Sequence, residues 1–117
     1  MAVTANRTVT VTLTGDVTYS QSFSAAANSS SPGQIDIVTL ASGLNTITPP
    51  AGGTTPKSVT IIPPTGNTET ITLKGVTGDT GVVLHKTDPS VIGLNSPTTT
   101  FCLTASAQIA GVRLIWT

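Results

Sequence analysis

An all-β fold, a two-sheet antiparallel β-sandwich of jelly-roll type, is what three features of this 117-residue sequence predict. Short segments alternate apolar with hydroxyl residues, Gly, Pro, Asn and Asp punctuate them every ~8–12 residues, and no window of about twelve residues has helical periodicity. An immunoglobulin-like sandwich is the alternative. Against it stand the single cysteine, Cys102, and the position of the only Trp, Trp116, at the end of the chain rather than in its middle. Residues 1–117 make one domain, long enough to bury a core without disulfide or metal.

In chain order, Val9, Val11 and Leu13 alternate with Thr8, Thr10, Thr12 and Thr14, giving a strand with one apolar and one hydroxyl face. Gly15-Asp16 marks a turn. A loop of three or five residues pairs Leu13 with Tyr19 and Val9 with Phe23, keeping the apolar residues on one face, whereas a two-residue loop splits them. Ala25 to Gly33, AAANSSSPG, is small and breaker-rich and is expected to be the longest irregular loop. In Gln34 to Leu40, Ile35 and Ile37 point one way and Val38 and Leu40 the other, a two-sided pattern expected of a central strand.

Thr46–Thr54 (TITPPAGGT) and Thr60–Thr68 (TIIPPTGNT) match at six of nine places, each a strand end followed by Pro-Pro and a Gly turn. Prolines there remove ladder donors, which puts these strand ends at a sheet edge or at the sandwich rim. Lys57 to Gly75 reads as a hairpin, with Ile61 opposite Ile71 and Val59 opposite Leu73. A turn at GVTGDTG (Gly75–Gly81) and strands at Val82–His85, Val91–Leu94, Thr99–Thr104 and Gly111–Thr117 complete the chain. The expected core is Val9, Val11, Leu13, Val59, Ile61, Ile71 and Leu73, with the threonines of residues 8–14 on the other face.

Charged residues are only 9% of the chain, and five basic side chains cancel five acidic ones, so there is no long-range field. Arg7, Lys57, Lys74, Lys86 and Arg113 are scattered singly, which argues against nucleic acid as a partner. No signal-peptide pattern opens the sequence and no apolar run approaches the ~18 residues of a membrane span, so neither secretion nor a membrane partner is expected. The glycosylation patterns at Asn6 and Asn28 are accordingly ordinary turn or strand residues.

Catalytic chemistry has little to work with. His85 is the only histidine, the partners available to it (Cys102, Asp88, many serines) form no motif, and Asp16, Asp36, Glu69, Asp79 and Asp88 are dispersed. No catalytic, cofactor or metal site is assigned, although Asp79 in TGDTG has the setting of a loop calcium ligand. The threonine row at Thr8–Thr14 resembles the T-x-T arrays of ice-binding proteins, but it lacks the regular repeat that would make such rows extensive.

TIIPPTGNTETITLKGVTGDTGVVLHKTDPSVIGLN, with the closing AGVRLIWT, resembles small β-rich virion proteins of tailed bacteriophages, including jelly-roll capsid decoration (cement) and tail-associated subunits. The resemblance implies a non-enzymatic role in a virion, with copies of itself and a major capsid or tail protein as partners, and no cofactor. Charge leads to the same expectation. The first arm and the last strand lack the Lys residues that usually guard edges, so Arg113, Ile115, Trp116, Thr8, Thr10, Thr12 and Thr14 are the candidate interface. A carbohydrate- or receptor-binding module and a small hydrolase are the alternative functions.

Overall fold

The structure, a computed structural model, describes residues 3–51, 54–76, 78–95 and 100–117. Gly52 and Gly53 of the first Gly turn, Thr77 of GVTGDTG, and Thr99 at the expected start of a strand lie outside the described residues. The twelve strands are β1 Val3–Ala5, β2 Thr8–Leu13, β3 Tyr19–Ser24, β4 Asn28–Ser31, β5 Gln34–Leu40, β6 Gly43–Ile47, β7 Ser58–Ile62, β8 Ile71–Lys74, β9 Val82–Val83, β10 Ser90–Gly93, β11 Phe101–Ala105 and β12 Ile109–Trp116.

Strands β5 to β12 form two four-stranded antiparallel sheets, ordered β10-β7-β12-β5 and β6-β11-β8-β9. Each strand pairs with its mirror in chain order: β5 with β12, β6 with β11, β7 with β10 and β8 with β9. That nesting is one long hairpin, tipped by the turn between β8 and β9 and rolled over itself, which is the jelly roll expected from the sequence. The rolling explains the prolines. Pro49-Pro50 follows β6 and Pro63-Pro64 follows β7, and at both places the chain crosses from one sheet to the other.

The inner faces meet in a core of Leu40, Ile47, Val59, Ile61, Ile71, Leu103, Ala105, Ile109, Val112, Leu114 and Trp116. Trp116 is fully buried; its ring lies 6.2 Å from that of Phe101 in the opposite sheet, and its Nε1 donates to Asp36 Oδ2 at 3.1 Å. Asn45, in β6 just past the corner, donates to the carbonyls of Ala41, Gly43 and Leu103 and so ties the corner to β11.

Several expectations need correction. β7 and β8 are not a hairpin: β7 pairs with β10 and β12, and β8 with β9 and β11, so Val59 and Ile61 face Ile71 and Leu73 across the core instead of beside them. β5 is an edge strand, not a central one, because the last strand, β12, occupies the central position between β5 and β7. The terminal strand therefore needs no edge protection. It contains a bulge at Ala110-Gly111, opposite Thr39, where Gly111 takes a φ of +79°.

The segment expected to be an irregular loop contains β4, which pairs with β1. Asn28 there is buried, its Nδ2 donating to Thr55 O at 2.8 Å and its Oδ1 accepting from Ser30 N, so its amide is held inside the structure. Val9, Val11 and Leu13 are exposed rather than core, because among the described residues β2 and β3 pair only with each other and have no second layer over them.

Truncating Trp116 to Ala is expected to cost about 3–5 kcal/mol, and Ile61→Ala or Ile71→Ala about 2–5 kcal/mol, in urea unfolding of the dilute protein. Val11→Ala is expected to stay within about 0.5 kcal/mol. Asp36→Ala strands the buried indole N–H and is expected to cost about 1–3 kcal/mol, whereas Asp36→Asn keeps an acceptor and recovers most of that loss.

Candidate functional site: uncovered apolar surfaces

Two surfaces of this neutral chain are apolar and open to water. The first is the β2–β3 ribbon. Its register is the one expected from an odd-length loop, with Val9 opposite Phe23, Val11 opposite Gln21 and Leu13 opposite Tyr19, closed by a turn in which Gly15 has a φ of +111°. The other face carries Thr8, Thr10 and Thr12 opposite Ser24, Ser22 and Ser20, with the Thr10 and Ser22 hydroxyls 2.8 Å apart.

A hydrogen bond from Ala25 N to Arg7 O closes the base of this ribbon, which is tied to the segment before β7 through Arg7 Nη1 to Lys57 O, while β4 is tied to the same segment through Thr55 N to Ser30 O. Beyond that base every residue of β2 and β3 is exposed. The projection also shows in the radius of gyration, 15.4 Å, where a compact domain of this length has about 13 Å. An isolated two-stranded hairpin is marginal in water, and here its apolar face, Val9, Val11, Leu13, Tyr19 and Phe23, is 41–49% exposed.

The second surface is the outer face of the β10-β7-β12-β5 sheet. One cross-strand row runs Val91, Thr60, Ile115, Ile35, and the next runs Ile62, Arg113, Ile37. Ile35 and Ile37 are 63% and 72% exposed, and Arg113 is the only charge in either row. Sequence reasoning missed Ile35 and Ile37 because a strand apolar on both faces reads as buried on both. Nothing in the alternation shows that no layer lies over one face.

The expected interface residues are thus split. Thr8, Thr10 and Thr12 lie on the hydroxyl face of the ribbon and Thr14 in its exposed turn, while Arg113 and Ile115 belong to the outer sheet face. Trp116 points the other way, sealed in the chain's own core, and offers no surface to a partner. Its place in a central strand is the reason.

The residues weighed for chemistry serve local structure. His85 is exposed, and its Nδ1 accepts from the backbone N–H groups of Thr87 and Asp88 at 3.2 and 2.9 Å, closing a turn. Asp79 Oδ2 accepts from Gly75 N and Val76 N at 3.1 and 2.9 Å, tightening the β8–β9 turn, and Cys102 is buried. Among the described residues no three His, Cys, Asp or Glu side chains gather in a metal-binding group.

A cleft of about 940 Å³ opens between the sheets beside β9 and β10, with Val59, Leu73, Val82, Ile92 and Phe101 in its lining and Lys74 and Asp79 as the charged lining residues. No helix among the described residues is long and apolar enough to cross a membrane. No protein family, curated protein or solved structure matches the chain.

His85→Ala removes a turn acceptor from an exposed site and is expected to lower stability by about 0.5–1.5 kcal/mol in thermal or urea unfolding. Self-association by light scattering is expected to be unchanged.

Proposed function

We propose that the protein is a non-enzymatic structural subunit of a virion, a capsid decoration (cement) or tail-associated protein that assembles with copies of itself on a larger particle. The observation that carries this reading is the β2–β3 ribbon, an apolar strip on a projecting hairpin that its own chain leaves uncovered. A contiguous exposed apolar surface of this kind marks an interaction site, and the lack of guarding charges suits a chain held in an assembly. The jelly roll adds support by analogy alone, since capsid proteins use it and so do lectins and cupins.

The carbohydrate- or receptor-binding alternative draws on Tyr19, an exposed aromatic whose hydroxyl donates to Gln21 Oε1 at 2.7 Å. Tyr19 stands on a ribbon exposed on both faces, not in a groove.

Light scattering across a concentration series, together with co-sedimentation with purified particles, tests the proposal. Wild type is expected to self-associate and to bind particles, and the double variant Val11→Glu, Phe23→Glu to lose particle binding with an unchanged melting temperature. A folded monomer at every concentration with no affinity for any particle would sink it, and glycan-array binding lost in Tyr19→Ala would favour the alternative.

A further inference from the structure

The free edge of β5 is complementary to itself. β5 pairs with β12 on one side and, among the described residues, with no strand on the other. Natural edges of this length are blunted with Lys, Pro, a bulge or an inward-pointing charge, or covered. Gln34-Ile35-Asp36-Ile37-Val38-Thr39-Leu40 has no Lys and no Pro, and the bulge in this ladder lies on β12. The one charge, Asp36, is already engaged on the inner side, its Oδ1 accepting from Gln34 Nε2 at 2.8 Å and its Oδ2 from Trp116. Ile37, in the middle of the strand, is the most exposed large apolar residue among those described.

We propose that β5 pairs antiparallel with β5 of a second copy about a two-fold axis at Ile37, joining two four-stranded sheets into one continuous sheet. The proposal deepens the homo-oligomer reading above and rests on it. A two-fold normal to the sheet keeps outward residues outward, so the two numbers in each pair must have an even sum. Centring the axis on Asp36 sets two carboxylates directly opposite each other, which is destabilising. Centring it on Ile35 or Val38 leaves part of each strand unpaired.

Only the axis at Ile37 pairs all seven residues, Gln34 with Leu40, Ile35 with Thr39, Asp36 with Val38 and Ile37 with its own copy, and it places no charge opposite a like charge. The same contact brings the outward Ile35 and Ile37 of both copies together in one apolar band. A contact of this symmetry closes on itself as a dimer and does not propagate into a fibre, so it supplies a discrete building block while the ribbons stay available to other partners.

The test is cysteine cross-linking of the full chain, with wild type, whose lone Cys102 is buried, as the background. Paired residues in an antiparallel ladder have Cα atoms about 4.5–5.5 Å apart, within disulfide range. Ile35 and its own copy are offset by four residues, about 13 Å along the strand, beyond that range. Ile37→Cys is expected to form a disulfide dimer under mild oxidation, and so is the double variant Ile35→Cys, Thr39→Cys, whereas Ile35→Cys alone and wild type are not. Ile37→Lys, a substitution at an exposed site, is expected to keep the melting temperature and weaken dimerisation by about tenfold or more.

Oligomeric wild type in which Ile37→Cys cross-links no better than Ile35→Cys would overturn the β5 contact, assign self-association to another surface such as the ribbon, and leave the structural-subunit reading standing. Monomeric wild type with no cross-link in any variant would overturn both.

Discussion

Burial of Trp116 in the last strand is the interaction on which the rest of the molecule depends. β12 lies between β5 and β7, so without it that sheet has no centre, and its inward residues Ile109, Val112, Leu114 and Trp116 form a large part of the floor of the core. Full burial of side chains of this kind is worth roughly 1.5–3 kcal/mol each, and the indole adds a hydrogen bond to a carboxylate 80 positions earlier in the chain. The closing strand and its partners are far apart in sequence. Such a topology delays its reward until a long loop is closed, and it ranks with the slow-folding, high-contact-order class of all-β domains.

How much of this was legible in the sequence depends on what alternation encodes. A period of two tells which residues share a face, and that information held: Val59, Ile61 and Ile71 are buried, Leu73 packs against them, and the ribbon has its expected register. Alternation does not tell which strand lies alongside. Two strands that face each other across a sandwich carry the same pattern as two arms of a hairpin, which is why β7 and β8 read as neighbours. Nor does it tell whether an apolar face is covered. Val9, Val11 and Leu13 have the pattern of core residues, and so do Ile35 and Ile37, yet among the described residues no layer covers either set. β4 was hidden for another reason: Asn28-Ser29-Ser30-Ser31 is a strand with no apolar residue, held by a buried Asn whose Nδ2 donates to a carbonyl 27 positions away.

The uncovered surfaces share one chemical character. The ribbon has no charged side chain within its two strands, and the outer sheet rows have only Arg113. Association through such surfaces draws on apolar burial and on hydroxyl and backbone hydrogen bonds, not on steering by a field, so it is less sensitive to salt than a charged interface of equal size. The fold separates two tasks. A sandwich of eight strands holds the stability, and the ribbon and the β5 edge carry what the sandwich does not need.

Native-state hydrogen exchange of the full chain, measured in dilute solution and again in the assembled state on the particle, tests that separation most directly. Amides of β12 should exchange only through global unfolding in both states, while those of β2 and β3 should exchange orders of magnitude faster when dilute and become protected on assembly. Ribbon amides as slow as those of β12 in the dilute monomer, or equally fast in the assembled state, would contradict the account.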